Sequence, residues 1–198
     1  MHPDIDAWQP WHPATFTARM PGADFPWYVA GGWAIDLFVG TQTREHEDLE
    51  VAVASSFFET MPPRFPELDF WVPLGEQKLG RMTAETLGGE SHQTWAYDRA
   101  AQAWRFDVFR EPHDGDIWIC RRDESIRRPY EEIVSYTDEG IPYLNPEVAL
   151  LFKAKAARDK DRADLATAWP RMSPEQRDWL RSAVEKVHPG HEWASLPG

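Results

Sequence analysis

The sequence predicts an α/β (α+β) fold, a mixed β-sheet with flanking helices and a C-terminal helical segment. Two observations predict it. Short apolar or alternating runs of strand length recur between residues 27 and 120, and two capped helix patterns fill the last quarter of the chain. The 198 residues are enough for one unit with a real core. A hydrophobic share of 42% is ordinary for such a domain, whereas 11 Trp point to broad aromatic contacts in the core or around a pocket.

The elements follow in order. Residues 1–26 hold five prolines and read as a loosely ordered or partly helical lead-in packed on the body. Trp27-Tyr28-Val29-Ala30 is a short buried strand, broken by Gly31-Gly32; Trp33 to Val39 then has helical spacing, and Gly40 sits where a helix ends. Asp48-Leu49-Glu50-Val51-Ala52-Val53 alternates strictly, so Asp48 and Glu50 point the same way from a strand. Ser55 or Ser56 caps a short helix stopped by Pro62-Pro63, and strands are expected near 68–73, 78–83, 92–97, 103–110 and 116–120. Asn145-Pro146-Glu147 starts a helix expected to run to about Ala168, and Ser173-Pro174-Glu175-Gln176 starts the last one by a capping box. The expected organisation is a core over 1–144 with a helical segment, 145–198, packed on it as one unit.

The formal net charge is −12, with no run of five Lys and Arg. A long nucleic-acid partner is therefore disfavoured, while the acidic surface suits a cationic small molecule and equally a plain soluble protein with a neutral one. Cys120 is the only cysteine, so no intrachain disulfide is possible. The start lacks the basic-then-apolar pattern of a signal peptide and no stretch approaches a membrane span of about 20 apolar residues, so a cytoplasmic protein is expected. Oligomeric state is not legible.

Two carboxylates one residue apart on a strand suit a hard divalent cation whose shell is completed by phosphate oxygens. A Gly-Gly turn entering a helix offers backbone N–H groups at the positive end of the helix dipole, where only residues without Cβ let phosphates approach. Asp48 and Glu50 are thus candidate ligands for Mg²⁺, and Gly31 and Gly32 a candidate phosphate cradle.

Together, the strand, Gly31-Gly32-Trp33, the helix, and Arg44-Glu45-His46-Glu47-Asp48-Leu49-Glu50 resemble the signature of the polymerase-beta-type nucleotidyltransferases. More narrowly, Ala30 to Asp36, Gly40, and Arg44, His46, Asp48, Leu49 and Glu50 are similar to the aminoglycoside 2″-adenylyltransferase family. So are Tyr143 to Lys153, Lys160-Asp161 with Asp164-Leu165, and Pro189-Gly190-His191 with Trp193. Glu50 stands where the better-known adenylyltransferases often carry Asp.

The resemblance implies a nucleotidyltransferase fold, Mg²⁺, and ATP or another nucleoside triphosphate as co-substrate. A hydroxyl of a small molecule, with aminoglycoside-like antibiotics among the candidates, would attack the α-phosphorus. It also implies a third carboxylate from a later strand. Asp107 is the candidate, an acid inside the apolar run Trp104 to Phe109, to complete the metal site or act as general base; a salt bridge to Arg105 or Arg110 is its structural alternative. Arg44 is a candidate triphosphate clamp or a partner of Glu45 or Glu47, and Lys153 is a candidate to reach the phosphates. His46 is read as a supporting hydrogen-bond group, and His188 and His191 as structural. The competing reading is an inactive nucleotide- or partner-binding relative, a sensor or toxin–antitoxin component, in which Asp107 points away from Asp48 or is locked in an ion pair. For the active enzyme, a cleft lined in part by Trp is expected.

Overall fold

The computed structural model describes residues 2–75 and 77–197. In chain order the elements are α1 (Pro13–Thr17), β1 (Trp27–Val29), α2 (Gly31–Val39), β2 (Glu50–Ala54), β3 (Leu68–Pro73), β4 (Leu79–Arg81), α3 (Ala84–Leu87), β5 (Gln93–Asp98) and β6 (Ala103–Glu111). They continue through β7 (His113–Asp114), β8 (Ile117–Ile119), β9 (Arg127–Pro129), α4 (Tyr130–Ile133), β10 (Val134–Tyr136), β11 (Pro142–Leu144), α5 (Pro146–Ala154), α6 (Asp159–Ala168) and α7 (Pro174–Val187). The main sheet is mixed, in the order β10-β11-β1-β2-β6-β5-β3-β4, and β7, β8 and β9 form a small second sheet.

The centre of the main sheet positions the chemistry. β2 runs antiparallel to β1 and parallel to β6, with Glu50 directly opposite Asp107 and Ala52 opposite Phe109. Because side chains alternate across a sheet, Glu50, Ala52, Asp107, Phe109 and Glu111 share one face. α2 lies near this face, with α5 and α6 packed on it and α7 on α5. The core unites the sheet, α2 and these C-terminal helices, with Phe16, Phe58, Phe65, Phe106, Trp118 and Trp193 all essentially inaccessible. Residues 145–197 thus bury their apolar side chains in the core they share with α2 and the sheet rather than against each other alone, which is how a helical segment without its own core is held.

Three sequence expectations change in detail. The helix expected from Asn145 to Ala168 is two helices, because Ala157 adopts φ +43 between them, a left-handed conformation that interrupts helical hydrogen bonding. Asn145 does not cap α5 with its side chain; that amide instead donates to the Glu132 carbonyl and accepts from Ser135. Ser55–Thr60 is a 3-10 turn with no side-chain cap. By contrast, Ser173 and Gln176 form the reciprocal capping box expected of them, and Gly40 closes α2 at φ +80. The lead-in is ordered: Trp8 bridges to Trp104, and the indole of Trp104 donates to the Asp4 carbonyl.

Candidate active site

Glu50 and Asp107 stand side by side on adjacent strands, whose spacing is about 4.8 Å. Asp107 is buried and receives one hydrogen bond, from the Gln93 amide to Oδ2, while Oδ1 is buried without a partner among the described residues. Its carboxyl is held well above the usual range, by burial first and then by the charge of Glu50. Glu50 is pushed up to about 7, again by burial first and then by Asp48, against the pull of Lys153. Asp48 is exposed just before β2, close enough to act on both. Neither Arg105 nor Arg110 pairs with Asp107: Arg105 binds Asp98, and Arg110 donates to the carbonyls of Leu87 and Ser91.

Among the described residues, no three His, Cys, Asp or Glu side chains stand in a ready-made metal-ligand cluster. The donor set nonetheless fits a hard divalent cation. Three mutually repelling carboxylates, one with an orphaned buried oxygen, are the chemistry that such an ion satisfies.

Gly31 opens α2 at φ +62, and a Cβ there would come within 1.6 Å of Glu50 Oε2. The glycine therefore makes room for Glu50 as well as exposing the N-terminal N–H groups of α2. Gly32 has a different neighbourhood from the cradle expected: a Cβ there would meet Arg44 Nη2 at 2.2 Å and His46 Nδ1 at 2.7 Å. We expect Gly31→Ala to lower stability by about 1–2 kcal/mol through the left-handed backbone and to push Glu50 outward. Its carboxyl titration, followed by carbon-detected NMR, should then fall from about 7 towards the ordinary carboxylate range. An unchanged titration would mean the contact does not hold Glu50 in place.

The expected triphosphate clamp, Arg44, is engaged elsewhere. Its fork makes two parallel bonds to Asp164 on α6, at 2.9 and 3.0 Å, and a third to the Glu45 carbonyl, so neither the clamp nor the partners Glu45 and Glu47 through their carboxylates are realised. Asp164 also takes Lys153 Nζ at 2.8 Å, with Asp161 at 3.5 Å from the same nitrogen. One buried carboxylate thus joins the loop before β2 to the lysine of α5. His46 does support the loop: its Nε2 lies 2.6 Å from Asp36 and its ring stacks on Trp33 at 4.3 Å, while burial lowers its pKa against the opposing effect of Asp36. Thr43 completes the Asp36 cluster at 2.5 Å.

A cavity of about 320 Å³ opens over this face, within the range of small-molecule sites. Gly31, Glu50 and Lys153 line it, whereas Gly32, Arg44, Asp48 and Asp107 do not. Its aromatic lining is Tyr28, Phe109 and Phe152; no Trp contributes, contrary to expectation, because the indoles are committed to packing such as the Trp8, Trp95 and Trp104 group. Sequence reasoning missed Gln93, Glu111, Arg121, Arg122, Lys155 and Arg158 in this lining. Gln93 was out of reach because its partnership with Asp107 exists only through the antiparallel pairing of β5 and β6. Glu111 had a usable signal: like Asp107 it is an acid on the buried face of an apolar strand, and burial raises its pKa.

Residues 15–67 match the family model described as aminoglycoside-2″-adenylyltransferase; the match includes Gly31, Gly32, Asp48 and Glu50 and stops before Asp107 and Lys153. No curated protein sequence matches the chain. Solved structures with a similar fold include antibiotic-resistance factor ANT(2″)-Ia in solution, at 13% identity and TM-score 0.57 over 87% of this chain and 89% of that one. The same factor in complex with adenylyl-2″-tobramycin matches at 13% identity and TM-score 0.58, over 87% and 94%. The lincosamide antibiotic adenylyltransferase LnuA, lincomycin-bound, matches at 15% identity and TM-score 0.54, over 78% and 92%. Residues 15–67 thus carry a sequence pattern similar to the aminoglycoside-2″-adenylyltransferase family, and most of the chain shares the nucleotidyltransferase fold of these structures.

Proposed function

We propose that the protein transfers a nucleoside monophosphate, from ATP foremost, to a hydroxyl of a small molecule. The observation that carries this reading is Glu50 in register with Asp107 on the adjacent strand and within reach of Asp48, with Glu50 itself lining one cavity together with Gly31, Lys153 and Arg158 at the N-terminus of α2. That arrangement sets acid against base across a space where a triphosphate is neutralised from one side and its charge shared with a cation on the other.

Asp48, Glu50 and Asp107 would hold a divalent cation such as Mg²⁺, which when bound supplies Lewis-acid neutralisation of phosphate charge. Lys153, fixed by Asp161 and Asp164, and Arg158, fixed by Asp161, bind phosphate oxygens. The N–H groups at the start of α2 orient the same group. The acceptor oxygen attacks the α-phosphorus, the bond from that phosphorus to the bridging oxygen breaks, and pyrophosphate leaves with the electron pair. Asp107 takes the hydroxyl proton; burial beside Glu50 has raised its proton affinity towards that task. An inactive relative is disfavoured by the same residue, because Asp107 is held by a neutral amide and not locked by a cation.

Calorimetry with Mg-ATP and Mg-GTP on the wild type and on Asp48→Asn tests the proposal. Binding that needs both Mg²⁺ and Asp48, with adenylylated product by mass spectrometry, is expected. No nucleotide binding in the wild type would sink it.

A further inference from the structure

The protein carries a net charge of −12, yet its cavity has the opposite balance: Arg121, Arg122, Lys153, Lys155 and Arg158 line it against Glu50, Glu111 and Asp161. Three of these cations have carboxylate partners. Arg121 pairs with Glu111 at 3.2 Å, Lys153 with Asp161 and Asp164, and Arg158 with Asp161. Among the described residues, Arg122 and Lys155 have no carboxylate within ion-pair distance. The Arg122 guanidinium is half-buried, lies over Phe152 at 5.1 Å, and donates one hydrogen bond from Nη1, to His188 Nε2 at 3.3 Å. A guanidinium has five N–H donors in one plane, of which this hydrogen bond takes one. Burial and the neighbouring Arg121 lower its proton affinity, but not enough to discharge an arginine, so an uncompensated cation stands in the wall. Lys155, at the C-terminal end of α5, lines the same cavity as Arg122.

We propose that Arg122 and Lys155 form an anion-binding subsite beside the transfer centre, and that it takes the carboxylate or phosphate of the acceptor. This rests on reading the cavity as the site of nucleotidyl transfer. A polycationic acceptor would meet two unpaired cations there, so the acidic surface as a whole does not report what the cavity selects. Charge beyond about 8–10 Å is screened at physiological salt, whereas the cavity wall acts at contact.

The test is an amide chemical-shift titration of the full chain with inorganic phosphate, with and without saturating Mg-ATP. Saturable shifts at Arg122, Lys155 and His188 are expected, persisting with Mg-ATP bound. The phosphate affinity should weaken about tenfold in Arg122→Gln and in the more exposed Lys155→Gln, with Mg-ATP affinity within twofold of wild type. Absence of saturable shifts would overturn the subsite. Shifts that vanish once Mg-ATP binds, or a tenfold loss of Mg-ATP affinity in Lys155→Gln, would overturn the acceptor assignment and give the corner to the nucleotide's own phosphates. Tobramycin is the cationic control: it should leave these resonances unmoved, and saturable shifts with it would equally overturn the assignment. If the wild type binds no Mg-ATP, the transfer reading fails alone and the phosphate titration still decides the subsite.

Discussion

Asp107→Asn is expected to raise the stability of the metal-free protein while removing transfer. The native carboxylate is buried, repelled by Glu50 and Asp48, and supported by one hydrogen bond from Gln93. An isosteric amide keeps an acceptor for Gln93 and removes the charge, so the gain should be about 1 kcal/mol, read as a higher melting temperature. Transfer should fall by about 10³-fold, within the span for loss of an acid–base group. A variant that is less stable than wild type would show that the carboxylates do not strain the fold. A variant that keeps its rate would remove Asp107 from the chemistry.

The same cluster sets a pH dependence. Glu50 titrates at about 7 in the fold and Asp107 is also raised, so the native state holds protons that the unfolded chain has already released. Stability from these groups is fully present below the ordinary carboxylate range and is lost as pH rises towards and through 7. The melting temperature of metal-free protein should therefore fall between about pH 5.5 and 7.5, with a shallower fall in Asp107→Asn. A flat profile in the wild type would contradict the clustering. Added Mg-ATP should stabilise the protein more at the upper end, where the carboxylates are ionised.

The second large effect is expected at Asp164→Ala. Asp164 is buried, takes both bonds of the Arg44 fork, and takes Lys153 at 2.8 Å, so its own carboxyl is held below the usual range. Removing it leaves two cations without their shared partner. The cost should be about 3 kcal/mol, the lower end for a broken buried pair, because Lys153 keeps Asp161 and Arg44 reaches solvent. It is measurable by denaturant unfolding. Asp164→Asn, which keeps the packing and an acceptor oxygen but not the charge, should recover only part of that loss and bind Mg-ATP about tenfold more weakly, because Lys153 loses its charged anchor. An Asn variant with unchanged Mg-ATP affinity would make Asp164 a structural residue only.

The sequence determined by itself the strand–Gly31-Gly32–helix turn, the Asp48 and Glu50 spacing, and the last helix with its Ser173–Gln176 capping box, because each is written in neighbours within a few positions. The carboxylate Asp107 was legible for a related reason: a charge among apolar neighbours on a strand has to have a use. Tertiary structure alone decided the rest. Gln93 reaches Asp107 through strand pairing, Arg44 finds Asp164 across 120 residues, and Arg122 enters the cavity from the turn after β8. Charge behaves in the same way. Composition gives the sign of the whole surface, but a cavity of about 320 Å³ takes its sign from the few side chains that its walls bring together, and those come from segments distant in sequence.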